Sequence, residues 1–279
     1  MSYKSLLTVL TDPEYATGVL EQLAGLGEAF DAHVDALCIG VDRAPQGFYQ
    51  AAGDMMVLQV AVEQAQEDSK KLEELAEATL GAANVRHSVE SSVSAIAMAG
   101  DLVAERARFA DLVMMPLPYG EGKGEDMQTS VEAALFGGRA PVLILPDGAA
   151  PKAKFGTVMV AWDESAEAMT AIRKSMPFLE AADLVRIVTI DPPVHRADRA
   201  DPGGQLSRML DRHGVNCQVD VLSKTLPRTS DVLMRHCADT EAELIVMGAY
   251  GHSRLREAIL GGTTRNMLEN APVPVLMAH

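Results

Sequence analysis

Three segments of the sequence occur twice in the same order, and this repeat limits the fold more than any other feature. Ala110–Pro116 (ADLVMMP) matches Ala242–Gly248 (AELIVMG), Ala140–Pro146 (APVLILP) resembles Val273–His279 (VPVLMAH), and Thr8–Asp12 (TVLTD) resembles Met159–Asp163 (MVAWD). A period near half of 279 residues is too long for a stacked solenoid and indicates a duplicated domain. The stretch from Asp147 to Phe155 carries Gly, Pro and two lysines between apolar segments, which suits a linker. We therefore expect domains at 1–147 and 155–279.

Each half alternates short apolar runs with amphipathic stretches. In the second half the runs Thr157–Ala161, Leu184–Ile190, Cys217–Leu222, Leu244–Met247 and Val273–Met277 predict strands. Helices are expected over 165–179, 205–212 and 229–238, with a last one opening at Thr264. In the first half strands are expected at 5–10, 34–39, 86–90, 112–115 and 142–145. A long helix over 56–80 carries Val57, Val60, Ala61, Ala65, Leu72, Leu75 and Ala76 as one apolar stripe. Ala44–Asp54 before it reads as an inserted loop whose role is not legible.

Only 4% of residues are aromatic, so the core must be built from Ala, Val, Leu, Ile and Met. Strands apolar on both faces, alternating with helices, imply parallel sheets covered on both sides. The expected fold is α/β: two tandem, doubly wound, five-stranded parallel-sheet domains of Rossmann-like type. In such sheets ligands sit beyond the carboxyl ends of the strands.

One loop of the second half has the chemistry for that position. Gly248-Ala-Tyr-Gly251 follows the fourth strand, nine residues intervene, and Gly261-Gly262-Thr263-Thr264 opens the last helix. Glycines let a backbone come close to phosphate oxygens, and a helix start adds free N–H groups and the positive end of its dipole. Thr263 and Thr264 can donate hydroxyls or cap the helix. A bland reading stands beside this one: Gly248 and Gly251 can make a tight turn, and the Gly-Gly-Thr-Thr run a plain helix start.

The spacing resembles that of the universal stress protein family, whose ATP-binding members carry Gly-x2-Gly-x9-Gly followed by Ser or Thr. The resemblance covers the chain as two copies, strong in the second and weak in the first. It implies ATP or another adenine nucleotide as ligand, with or without Mg, and a role in a stress response. It also implies site residues: Asp163 near base and ribose, Thr189 where backbone groups meet the adenine edge, Met247 packed on the base, and Gly248, Gly251, Gly261, Gly262, Thr263 and Thr264 around the phosphates. Asp163 has a second reading as a helix cap. Gly262 departs from the pattern, since it stands where Ser or Thr is usual and so removes one hydroxyl. The family also implies an intramolecular pseudo-dimer packed through the last strands, with further homodimerisation left open.

The same alignment places Gly248 on Pro116, Gly251 on Tyr119 and Gly261 near Gln128. Proline has no N–H to offer. The glycines 120, 122 and 124 alternate with Glu121, Lys123 and Glu125, and Asp126 follows. The first half is therefore expected not to hold a triphosphate in this mode.

Charge excludes further classes. The formal net charge is −15; residues 1–150 hold 9 basic and 23 acidic side chains, residues 151–279 hold 15 and 16. Such acidity argues against nucleic acid and anionic membranes as partners. No run of about 18 apolar residues suggests a span. Three cysteines without a CxxC pair fit reduced thiols and a cytoplasmic protein. His213 with Cys217, and His236 with Cys237, lack a fourfold ligand pattern, so no metal is expected. The loop has no Gly-Lys-Ser/Thr, and no base is evident, so catalysis beyond weak ATP hydrolysis is not expected. A nucleotide-free interaction scaffold is the alternative.

Overall fold

The computed structural model describes residues 2–43, 55–149, 152–192, 201–250 and 262–279. The inserted loop 44–54 and the segment from Gly251 to Gly261 lie outside the described residues. The chain divides into two compact units, Tyr3–Ala140 and Pro141–His279, the latter including Met1–Ser2.

The first unit runs β1 (Ser5–Leu10), α1 (Pro13–Phe30), β2 (His33–Asp42), α2 (Met55–Ala82), β3 (His87–Ala95), α3 (Ile96–Ala107), β4 (Leu112–Pro116) and α4 (Glu125–Glu132), which continues as one π-type turn over Ala133–Gly137. Its strands lie in the order β3-β2-β1-β4, all parallel. Asp12 starts α1 by accepting the Glu14 amide at 2.9 Å, with Pro13 fitting the first helical position. Helix α2 buries Ala65, Leu72, Ala76 and Leu80 as the period of 3.6 requires, but Val60 is 59% exposed and does not belong to the buried stripe.

The second unit runs β5 (Val142–Leu145), β6 (Thr157–Ala161), α5 (Ala166–Lys174), α6 (Met176–Ala181), β7 (Leu184–Ile190), α7 (Gly204–Arg212), β8 (Cys217–Leu222), α8 (Thr229–Asp239), β9 (Leu244–Gly248), α9 (Thr263–Asn270) and β10 (Val275–Ala278). The order is β5-β10-β9-β6-β7-β8, parallel except for the antiparallel pairing of β5 with β10. Strand β5, which the repeat assigns to the first half, thus falls in the second compact unit, and the strands that close the two repeats pair with each other. The fold is α/β and doubly wound, with Val, Leu, Ile and Met filling the sheet interior.

The helix expected over 165–179 is two helices. Ser175 leaves helical geometry with φ −91° and ψ 2°, and Pro177 in the next turn has no N–H to bond the carbonyl of Arg173. The sequence repeat also has a structural meaning. Asp111, before β4, accepts the amides of Lys4 and Ser5 at 2.8 and 3.1 Å, and Glu243, before β9, accepts that of Gly156 at 2.6 Å. In both repeats an acid before the fourth strand ties down the start of the first.

Candidate functional site

At the carboxyl ends of β6, β7 and β9 the second unit opens a cleft of about 140 Å³. Strand ends contribute Ala161, Trp162 and Asp163 from β6, Val188 and Ile190 from β7, and Met247 and Gly248 from β9; Thr229 and Leu233 come from α8 and Thr263 from α9. Four of the residues singled out in the sequence, Asp163, Met247, Gly248 and Thr263, therefore meet around one opening.

Each has a local cause. Asp163 follows β6 directly; its Oδ1 accepts the Ser165 amide at 3.0 Å, while the cap of α5 is Ser165, whose Oγ accepts from Ala168 at 3.0 Å. Asp163 thus shapes the turn with one oxygen and stands exposed at the cleft with its carboxylate. Met247 is 5% exposed and forms the floor. Gly248 is glycine for a packing reason: a Cβ there would lie 2.6 Å from the Ala168 nitrogen and 2.8 Å from the Glu167 carbonyl carbon. The first turn of α5 crosses the strand end with no room for a side chain.

Thr189 lies elsewhere. Val188 and Ile190 face the cleft, and alternation turns Thr189 to the opposite face with Ile187, which packs beside Gly203 before α7. Its Oγ1 is buried with no hydrogen-bond partner among the described residues. Its backbone belongs to the β7–β8 ladder, opposite Val221. The β6–β7 ladder ends at Ala161 and Val188, whose carbonyl accepts the Trp162 amide, so Ile190, two residues beyond, carries the β6-side backbone edge at the cleft.

Thr264 is also committed to the protein. It is 3% exposed, and its Oγ1 accepts the Tyr250 amide at 3.1 Å. The Ala249 amide donates to Ala278 O at 2.9 Å, and its carbonyl meets His279 Nδ1 at 3.0 Å. The stem after β9 is therefore held by protein groups. Helix α9 differs: its cap is Gly262, extended at φ −60° and ψ 158°, which has no side chain to cap the helix. A helix start capped by glycine, next to Thr263 at the cleft wall, presents the positive dipole end that attracts an anion. Gly251 and Gly261 lie outside the described residues.

Residues 154–279 match the sequence profile of the universal stress protein family. The second half of the chain therefore carries a universal stress protein domain. The universal stress protein Slr1230 of Synechocystis is 28% identical over 124 residues, which are 43% of this chain and 41% of that relative's length. Among solved structures, a universal stress protein from Archaeoglobus fulgidus aligns over 98% of this chain and 95% of its own, at 17% identity and a TM-score of 0.73. A Pseudomonas aeruginosa protein of unknown function aligns over 99% and 92%, at 14% identity and a TM-score of 0.57. These likenesses are likenesses of fold.

The first repeat is built differently from this cleft. Matching β5 to β10 places Thr129 and Ser130 where Gly262 and Thr263 stand, and both lie inside α4, where amides are used by the helix. The glycine-rich turn before α4 is filled by its own unit: Tyr15 OH donates to Glu121 O at 3.2 Å and Lys123 Nζ lies 5.0 Å over the Tyr15 ring. Asp126, 2% exposed, pairs with Arg43 at 3.3 Å.

Sequence reasoning missed the α8 side of the cleft. Thr229 and Leu233 line it, and Arg228, the residue before α8, bonds Asn266 Oδ1 on α9 at 3.3 Å, setting a guanidinium between the two helix starts next to Thr229. Arg228 is distant in sequence from the motif, and only the packing of α8 against α9 brings it near.

Proposed function

We propose that the second half binds an adenine nucleotide, ATP or a close relative, as a regulatory ligand in a cytoplasmic stress response. The observation that carries this reading is the convergence of an apolar floor, a carboxylate and an uncapped helix start on one cleft. Met247, Val188, Ile190 and Leu233 suit a flat base, the backbone edge of Ile190 its polar rim, Asp163 the ribose, and the first turn of α9 with Thr263 and Arg228 the phosphates. Among the described residues no group of three His, Cys, Asp or Glu side chains is placed to hold a metal, so this reading takes any Mg as arriving with the phosphates. Among the described cleft residues Asp163 is the only acid and no lysine is present, which favours a bound ligand over a reacting one.

A nucleotide-free scaffold is the second reading, favoured by Gly248 and Thr264, whose identities packing already explains. The protein carries its own reporter, because its one tryptophan, Trp162, lines the cleft. Titration with ATP and AMP is expected to change Trp162 emission saturably, and GTP to do so far less. Protein purified without nucleotide whose emission ignores millimolar ATP would establish the scaffold reading instead.

A further inference from the structure

The two repeats fill one position with opposite charges. The third residue of β2 is Asp35, and the third residue of β7 is Arg186. The fourth residue of β3 is Glu90, and the fourth of β8 is Asp220. In each repeat that outer acid receives a partner from the next helix. Arg106 on α3 binds Glu90 through two bonds of 2.8 Å, and His236 on α8 meets Asp220 at 2.9 Å. The second repeat then adds Arg186, whose guanidinium binds Asp220 at 2.8 Å with both side chains largely buried.

The first repeat has no such arginine. Asp35 brings a second carboxylate to the level where Arg186 stands, and its recorded ion-pair neighbour is His33 at 3.5 Å, an imidazole that also meets Ser88 Oγ at 2.8 Å. Around Asp35 lies a cleft of about 190 Å³. Leu7 and Leu37 give it an apolar floor, Glu90 and Arg106 a charged wall, and Phe109, 79% exposed, an aromatic side.

We propose that this cleft binds a small organic cation, a guanidinium or primary ammonium on a short apolar body. Its charged head meets Asp35 and Glu90 where Arg186 lies in the second repeat, and its body packs on Leu7, Leu37 and Phe109. The chemistry is that of an incompletely compensated pair of acids: a half-buried carboxylate is stabilised when a hydrogen-bonding cation joins it, and such bonds are stronger than neutral ones. An aromatic face adds attraction for a cation. The 23 acidic against 9 basic residues in 1–150 raise the local concentration of cations around this half. Burial first, and then the neighbouring Glu90, raise the Asp35 carboxyl above its ordinary range against the opposing pull of His33, as expected for an acid short of a cationic partner.

The test uses the full chain, with butylguanidinium and butylammonium as probes, pentanamide as the neutral control and saturation-transfer NMR as the readout. Both cations are expected to bind and the amide not. Asp35→Asn weakens binding by about tenfold, the scale of one partly buried ion pair. Asp35→Arg, which supplies in the first repeat the side chain that the second already tolerates, abolishes it, with circular dichroism showing that the variant folds. The exposed Glu21→Gln leaves binding unchanged. Equal binding by wild type and both Asp35 variants would reveal a diffuse counterion effect and overturn the proposal. So would pentanamide binding as well as the cations, or no binding of either cation at millimolar concentrations. Should Asp35→Arg fail to fold, Asp35→Asn decides alone.

Discussion

Thr264 Oγ1 accepts the Tyr250 amide at 3.1 Å, joining the first turn of α9 to the stem that follows β9. This bond closes the base of the glycine-motif loop. It holds Tyr250 at φ 56°, a left-handed conformation that costs a residue with a Cβ and persists only where contacts fix it.

Replacing Thr264 by Val keeps the shape and removes the acceptor. The Tyr250 amide then loses this partner, and we expect a loss of about 1–3 kcal/mol in urea unfolding. Thr264→Ser restores most of it. If the proposed nucleotide binding depends on the loop stem, the Val variant also weakens it.

Gly248→Ala separates packing from binding. The added Cβ meets backbone atoms of Glu167 and Ala168, which cannot move aside as a side chain would. The ligand-free protein is expected to lose about 1–3 kcal/mol, the usual cost of overpacking. A thermal midpoint unchanged in the absence of nucleotide would show that α5 does not press on the strand end.

Arg228 and Asp163 are expected to divide the ligand between them. Arg228→Gln weakens ATP by about tenfold, as for loss of one charge-assisted contact, and leaves adenosine nearly unchanged. Asp163→Asn weakens ATP and adenosine alike, because the ribose is common to both. Calorimetric titration of the two ligands against each variant checks this division.

Two carboxylates should respond to pH in opposite senses. Burial alone would push Asp220 up, but the hydrogen bonds from His236 and Arg186 outweigh it and hold it below its ordinary value. Its contribution to stability is therefore present above about pH 4, the unfolded range, and is lost as pH falls through the folded value. Asp35 is raised, chiefly by burial. Its ionised form is disfavoured in the fold, so its penalty is felt at neutral pH and fades as pH falls through that raised value. Urea unfolding across pH is expected to show Asp35→Asn more stable than wild type at pH 7, with the gap closing in acid. Asp220→Asn should be less stable at pH 7 and also converge in acid.

Much of this molecule was determined by the sequence alone. The duplicated order of elements, the apolar runs of the strands and the long α2 follow from periodicity, because alternation and the 3.6-residue repeat are local properties. Asp163, Met247, Gly248 and Thr263 were legible because strand ends and the helix start are marked by glycine, acid and threonine. Tertiary structure decided the rest. It turned Thr189 away from the cleft, since a residue's face depends on where pairing starts and stops. It gave Thr264 to Tyr250 and Gly248 to α5, and it brought Arg228, ahead of α8, against Asn266 on α9. It also set Asp35 against Arg186 at matching positions, a contrast that strand register alone makes visible. Pattern in a chain fixes which elements form; which side chains face one opening follows from how those elements pack.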